Sequence, residues 1–190
     1  MKLVILDRDG TINSDSDDFV KTPDEWVPLP GALEAIARLN HAGWHVVVAS
    51  NQSGLGRGVF DVAALNAMHA KMHKLLAAVG GRIDAVFYCP HSAEESCACR
   101  KPMPGLYEQI GVRFGVPLKG VPTAGDSLRD LQAGVTVGCE PHLVLTGKSA
   151  RYAAGGQPEG LPAGTVLHQD LSAFVDFILE RSARPVLEDL

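Results

Sequence analysis

The 190-residue chain has no apolar stretch long enough to span a bilayer, so no membrane-spanning segment is expected. Its opening apolar run, Leu3-Val4-Ile5-Leu6, stops at Asp7 and is too short for the core of a secretory signal. Basic residues are outnumbered and scattered: 17 Lys and Arg stand against 22 Asp and Glu, for a net charge of −5. A phosphodiester backbone needs clustered cations, so nucleic acid is not an expected partner. Cysteines number only 4, and Cys89, Cys97 and Cys99 crowd into eleven residues, unlike a secreted disulfide framework. A reducing, cytoplasmic setting is expected. There is no internal repeat, linker or low-complexity tract. The length fits one domain over 1–190 with a loose tail from 181, and a monomer is expected.

Several catalytic signatures are also missing. Gly54, Gly56 and Gly58 fail the dinucleotide pattern because the third glycine comes one residue early, and no P-loop occurs. Ser53 lacks a G-x-S-x-G context. His69 and His73 have the spacing of a metal pair, but Ala70 stands where that motif needs Glu. These two histidines are expected on a solvated or rim face of their helix.

What is present is alternation. Short apolar runs at 3–6, 45–49, 83–88, 123–125, 142–145 and 165–167 read as buried strands. Between and after them, 31–42, 61–79, 106–114, a segment opening at 128, and 170–180 carry apolar residues at helical spacing. Strand–helix alternation of this kind predicts a three-layer α/β fold with a mainly parallel sheet. Ligands in such folds bind beyond the carboxyl ends of the strands, so the polar residues there carry the chemistry.

The first strand ends in Asp7-Arg8-Asp9-Gly10-Thr11. Residues two apart can share a pocket while Arg8 points away, giving a covalent nucleophile and an acid/base beside it. Two such carboxylates repel, which calls for a divalent cation; an Asp-rich turn capping the next segment is the plainer alternative. The second strand ends in Ser50-Asn51-Gln52-Ser53-Gly54, whose hydroxyls, amides and backbone N–H groups suit one phosphate. After the third strand, Cys89-x-His91 and Cys97-x-Cys99 form a full tetrahedral set for a structural Zn²⁺ with no open position. Arg100 and Lys101 follow at once, a fork and a point charge suited to a phosphate ester. The fourth strand leads to Asp126, expected to share the cation with Asp7, and to Asp130 one helical turn on.

Taken in order, DRDGT, Ser50-Asn51, Lys101 and GDSLRD resemble the four-part signature of the haloacid dehalogenase-like phosphatases, from Lys2 to about Leu145. The Cys-x-His…Cys-x-Cys insert is similar to that of a branch acting on heptose bisphosphate or histidinol phosphate. DRDGTIN and SNQSGLGRG resemble the heptose form rather than the N-Q-D-G of the histidinol enzymes. The resemblance implies a Rossmann-like αβα domain without a cap, closed by loops at 13–24, 53–60 and the zinc loop, 89–101. It also implies a magnesium- and zinc-containing phosphatase acting on a phosphorylated sugar in lipopolysaccharide-core precursor synthesis. Asp7 would be the nucleophile and Asp9 the acid/base, with Mg²⁺ on Asp7, Asp9 and Asp126. Ser50 and Lys101 would hold the phosphoryl group. Asn51, Gln52, Ser53, Arg100, Asp15, Ser16, Asp17, Asp18 and Ser127 would face the substrate, with Arg57 a further cation. Ser127 departs from some members that carry Lys there, so one phosphate contact is expected to be lost or moved. A rival class, a zinc-stapled binding module without catalysis, would make Asp7, Asp9, Lys101 and Asp126 coincidental.

Overall fold

The structure, a computed structural model, describes residues 1–183. Among these residues six strands, β1 (Leu3–Leu6), β2 (His45–Asn51), β3 (Ala85–Cys89), β4 (Pro122–Gly125), β5 (Glu140–Val144) and β6 (Val166–His168), form one parallel sheet. The strand order is β3-β2-β1-β4-β5-β6, so the chain builds outward on one side of β1 and then returns to its other side. That reversal opens a crevice between the carboxyl ends of β1 and β4, where such folds bind ligands.

Among the described residues six helices cover the sheet: α1 (Ala32–His41), α2 (Ser53–Gly56), α3 (Val62–Ala78), α4 (Gly105–Phe114), α5 (Leu128–Thr136) and α6 (Leu171–Ala183). Side chains alternate between sheet faces along a strand, and this divides the core in two. Val4, Leu6, Val46 and Val48 pack with Ile36 and Leu39 of α1, Leu65 and Met68 of α3, and Phe174 of α6. Leu3, Ile5, Val47 and Ala49 pack on the other face with Leu106, Tyr107 and Ile110 of α4 and Ala133 of α5. Apolar runs on the inner strands are therefore continuous because both faces are buried.

Helix boundaries follow local chemistry. Asp61 caps α3 by accepting the Ala64 N–H at 2.8 Å, and Gly115, with φ +65°, ends α4 in the left-handed region that glycine adopts freely. Three expectations need correction. β3 begins at Ala85 rather than 83. α2 occupies part of the stretch 53–60 expected as a loop, and a 3₁₀ turn spans Gly147–Tyr152, for which no element was expected. Residues 181–183 are not loose but extend α6, where Arg181 pairs with Glu140 at 2.7 Å and lies over the Phe177 ring. The remainder of the expected tail lies outside the described residues. Among those described, no helix is long and apolar enough to cross a membrane.

Candidate active site

The crevice beyond β1 and β4 contains a cavity of about 190 Å³ lined by residues from five strand ends. Asp7 and Asp9 enter from β1, Asn51, Gln52 and Ser53 from β2, and Arg100 and Lys101 from the loop after β3. Asp126, Ser127, Arg129 and Asp130 come from β4 and the start of α5, and Lys148 from the turn after β5. Asp15, Ser16, Asp17, Phe19 and Val20 form the outer wall. Asp18 does not line the cavity and is exposed; the left-handed Phe19, φ +65°, turns the chain so that Phe19 and Val20 face inward instead.

Lys101 is the hub. Only 2% exposed, its Nζ lies 2.7 Å from Asp7 Oδ1, 2.7 Å from Asp130 Oδ1 and 2.6 Å from the Ala49 carbonyl. Those carboxylates keep the buried ammonium charged, pushing its pKa up against the opposing effect of burial. Asn51 fixes the backbone of the same residue twice: its Oδ1 accepts the Lys101 N–H and its Nδ2 donates to the Lys101 carbonyl, both at 3.0 Å. The Asn51 amide, expected to meet substrate, is thus occupied in holding Lys101.

The acidic groups are divided by their partners. Burial pushes the Asp7 carboxyl up to about 7, with Asp130 adding repulsion and Lys101 opposing it. Asp126 is pushed up to about 8 by burial and by the charges of Asp7 and Asp130. It accepts the Lys148 N–H at 2.7 Å and lies so close to Gly10 and Gly147 that a Cβ on either would overlap its Oδ2. Oxygens of Asp7, Asp126 and Asp130 lie within 4.8 Å of one another, a grouping able to hold a cation. Asp130 is already engaged, by Lys101 on Oδ1 and by the Ser127 N–H (3.0 Å) and hydroxyl (2.8 Å) on Oδ2. The Ser127 hydroxyl, assigned from sequence to substrate, is therefore spent on a capping box at the start of α5.

Asp9 is charged for a different reason. Burial alone would raise its pKa, but the Arg8 charge and hydrogen bonds from Asn13, Arg8 and Gln52 outweigh it and hold the carboxyl below its ordinary value. Arg8 points away from the cavity, as expected, yet it is not idle: its side chain is 0% exposed and forks onto Asp9, with Nη2 at 2.8 and 3.0 Å from the two oxygens. His69, expected at a rim, is drawn in to accept from Arg8 Nη1 at 3.1 Å. Gln52 Nε2 donates to Asp9 Oδ2 at 2.8 Å and to Ser50 Oγ at 2.7 Å, leaving Ser50 beneath the cavity floor.

Cys89, His91, Cys97 and Cys99 form a second cluster whose ligand atoms lie within 4.8 Å of one another, and no disulfide joins them. The Cys89 and Cys99 sulfurs are each 3.3 Å from His91 Nδ1. Arg100 reaches from this loop into the cavity wall, whereas Arg57 pairs with Glu94 at 2.8 Å outside it. Sequence reasoning gave no role to Arg129 or Lys148. Both follow strand ends, so the rule that located the other residues extends to them.

Comparisons with known proteins give the family of this chain. The polynucleotide kinase 3 phosphatase family model matches residues 2–116, and a HAD-hydrolase-like model matches residues 98–170. The chain is 57% identical over 182 residues to a D-glycero-beta-D-manno-heptose-1,7-bisphosphate 7-phosphatase of Bordetella bronchiseptica, covering 96% of this chain and 100% of that one. A protein of the same name from Pseudomonas aeruginosa is 52% identical, with 94% and 98% covered. The crystal structure of the B. bronchiseptica D,D-heptose 1,7-bisphosphate phosphatase, complexed with magnesium and phosphate, superposes with a TM-score of 0.90, covering 95% of this chain and 99% of that chain. Within the HAD-like hydrolases and the phosphatases that the first model describes, this chain belongs to the D-glycero-beta-D-manno-heptose-1,7-bisphosphate 7-phosphatase family.

Proposed function

We propose that this protein removes the 7-phosphate of D-glycero-β-D-manno-heptose 1,7-bisphosphate in a magnesium-dependent, two-step phosphoryl transfer. The observation that carries the reading is Asp7, a buried strand-end carboxylate with Lys101 on Oδ1 and no hydrogen bond to Oδ2 among the described residues, in a chain 57% identical to such a phosphatase. Asp7 attacks phosphorus and becomes an aspartyl phosphate. Asp9 protonates the departing sugar oxygen and then takes a proton from the attacking water. The donors around Asp9 favour its ionised form, the one that takes the proton from water, and the first transfer requires that Asp9 take up a proton before the sugar departs.

The residues present fit a divalent cation. Asp7 and Asp126 are buried, mutually repelling carboxylates, while both oxygens of Asp130 are already engaged, by Lys101 and by Ser127. Mg²⁺ would be held by the Asp7 and Asp126 carboxylates and the Asp9 carbonyl, where it offsets the negative charge between carboxylate and phosphate. Lys101 would bind a phosphoryl oxygen, with Asn51 holding Lys101 in place, whereas Ser50, expected to share that role, lies outside the lining and is held by Gln52. The four-donor cluster fits a closed structural Zn²⁺, which would fix the loop that delivers Arg100 and Lys101. Zinc held by Cys89, Cys97 and Cys99 needs those cysteines reduced, which supports a reducing, cytoplasmic setting.

Specificity is assigned to the rim. Arg100 and Arg129 line the cavity, and neither has a carboxylate partner among the described residues, whereas Lys148 Nζ lies 3.6 Å from Asp15. The two guanidinium groups are the cations free to meet the phosphate that is not transferred, and Asp15, Ser16 and Asp17 are placed for sugar hydroxyls. This chemistry belongs to the making of lipopolysaccharide-core precursors. The test is phosphate release with Mg²⁺ from heptose bisphosphate and from histidinol phosphate. The expected result is a kcat/KM for the bisphosphate at least about tenfold higher, as one extra charge-assisted contact supplies. A preference for histidinol phosphate transfers the function to that substrate, and release from neither refutes the phosphatase reading.

A further inference from the structure

Arg8 is a guanidinium with no exposed surface, one residue from the nucleophile and outside the cavity wall. A buried charge of this kind is costly unless it is paired and hydrogen-bonded. Its pairing is directional. Nε donates to Asp9 Oδ1 at 3.1 Å and Nη2 spans both Asp9 oxygens at 2.8 and 3.0 Å, which fixes the plane of the carboxylate. The far side of the fork, Nη1, donates to His69 Nε2 at 3.1 Å.

His69 is placed by α3, whose Met68 and Met72 are fully buried in the core on either side of it in sequence. Burial and then the Arg8 charge push the His69 pKa down to about 4, so its Nε2 keeps a lone pair for the guanidinium at neutral pH. A helix packed by one face on the hydrophobic core is thereby connected through one imidazole and one guanidinium to a carboxylate that faces the cavity.

We propose that His69, acting through Arg8, is a positioning residue that sets the orientation of Asp9 toward the leaving oxygen. The inference rests on Asp9 being the acid/base of the proposed phosphatase reaction. As the bond from phosphorus to a sugar oxygen breaks, that oxygen takes a proton from Asp9. Dinitrophenolate leaves as a stable anion and needs none. Misplacing Asp9 therefore costs an alkyl phosphate and spares an aryl phosphate, whereas general damage to the site costs both. His69→Leu removes the acceptor, while His69→Gln keeps one at similar reach.

The experiment measures kcat/KM with Mg²⁺ for 2,4-dinitrophenyl phosphate and two alkyl phosphates, heptose bisphosphate and histidinol phosphate. The unsubstituted protein, His69→Leu and His69→Gln are compared. His69→Leu is expected to lose about tenfold or more on the alkyl phosphate that the unsubstituted protein hydrolyses, and less than about threefold on the aryl ester. His69→Gln is expected to recover most of the loss. Equal losses on both ester types, or a Gln variant as impaired as Leu, overturn the positioning role and leave the proposed function standing. An unsubstituted protein that hydrolyses none of the three overturns the function itself, and the inference with it.

Discussion

Lys101→Met replaces an ammonium by a side chain of similar reach, so the change removes charge and hydrogen bonds more than volume. In the folded protein it strips the partner from two carboxylates, Asp7 and Asp130, each 2.7 Å from Nζ, and one donor from the Ala49 carbonyl. Removing one member of a buried ion pair costs about 3–5 kcal/mol, because the other charge stays buried without compensation. In a chain of this length each kcal/mol corresponds to about 2–4 °C, so Tm is expected to fall by about 6–20 °C. The deficit has a pH signature. Asp7 already sits at about 7, above its ordinary value, and losing Lys101 raises it further. The folded state then holds more protons than the unfolded state across the interval below that pKa, so stability falls as pH rises through it. The gap between Lys101→Met and the unsubstituted protein is expected to be widest near pH 8 and to narrow toward pH 5. Calorimetry in magnesium-free, zinc-replete buffer measures it, since added magnesium would supply a substitute cation. A gap of less than about 3 °C at pH 8, or one that widens on acidification, would falsify the account of Lys101 as the charge that makes this crevice foldable.

Other changes read out other parts of the molecule. Asp7→Asn keeps the shape of the side chain but cannot form a phosphoenzyme; turnover should vanish from a folded protein, which steady-state phosphate release checks. Purified protein should contain about one Zn²⁺ per chain, and its removal should lower activity by releasing the loop that bears Arg100 and Lys101, as elemental analysis with parallel assays would show. Arg100→Ala and Arg129→Ala should each lower kcat/KM for the bisphosphate by about one to two decades while sparing an aryl phosphate, measured by initial rates. His142 and His168, in contact at 3.0 Å and buried, have pKa values pushed down to about 3 and about 4, mainly by burial. They stay neutral in the fold while the unfolded chain takes up protons below about 6.5, so stability should decline from there toward pH 4. A His142→Phe, His168→Phe variant should show a shallower decline in Tm over that range.

Strand ends were the legible part of this site. Asp7, Asp9, Lys101 and Asp126 could be placed from short apolar runs and the residues following them, because a parallel sheet gathers its carboxyl termini at one edge. Roles inside the site were less legible, since they depend on which donor meets which acceptor. Asn51, Gln52 and Ser127 carry the same amides and hydroxyls whether they bind substrate or protein, and only the fold commits Asn51 to the Lys101 backbone and Ser127 to Asp130. The partner of Arg8 was hidden for a related reason. Period-two alternation correctly turns it from the cavity, but says nothing of a long side chain folding back onto Asp9. His69 looked solvated because its partner is 61 positions away in sequence.

One residue, Arg100, separates Cys99 from Lys101. Two residue steps reach at most about 7 Å, and Asn51 pins the far end at both backbone polar groups. The chain there has no slack in which an inserted residue could be absorbed, so lengthening it by one would withdraw the ammonium from Asp7. The bend at 93–96 is different: it is exposed, and its geometry rests on Glu95 accepting the Ser92 N–H at 2.7 Å. Length variation and grafted peptides belong in that bend, while any exchange of the whole loop between relatives must carry Asn51 with it to keep the splice in register.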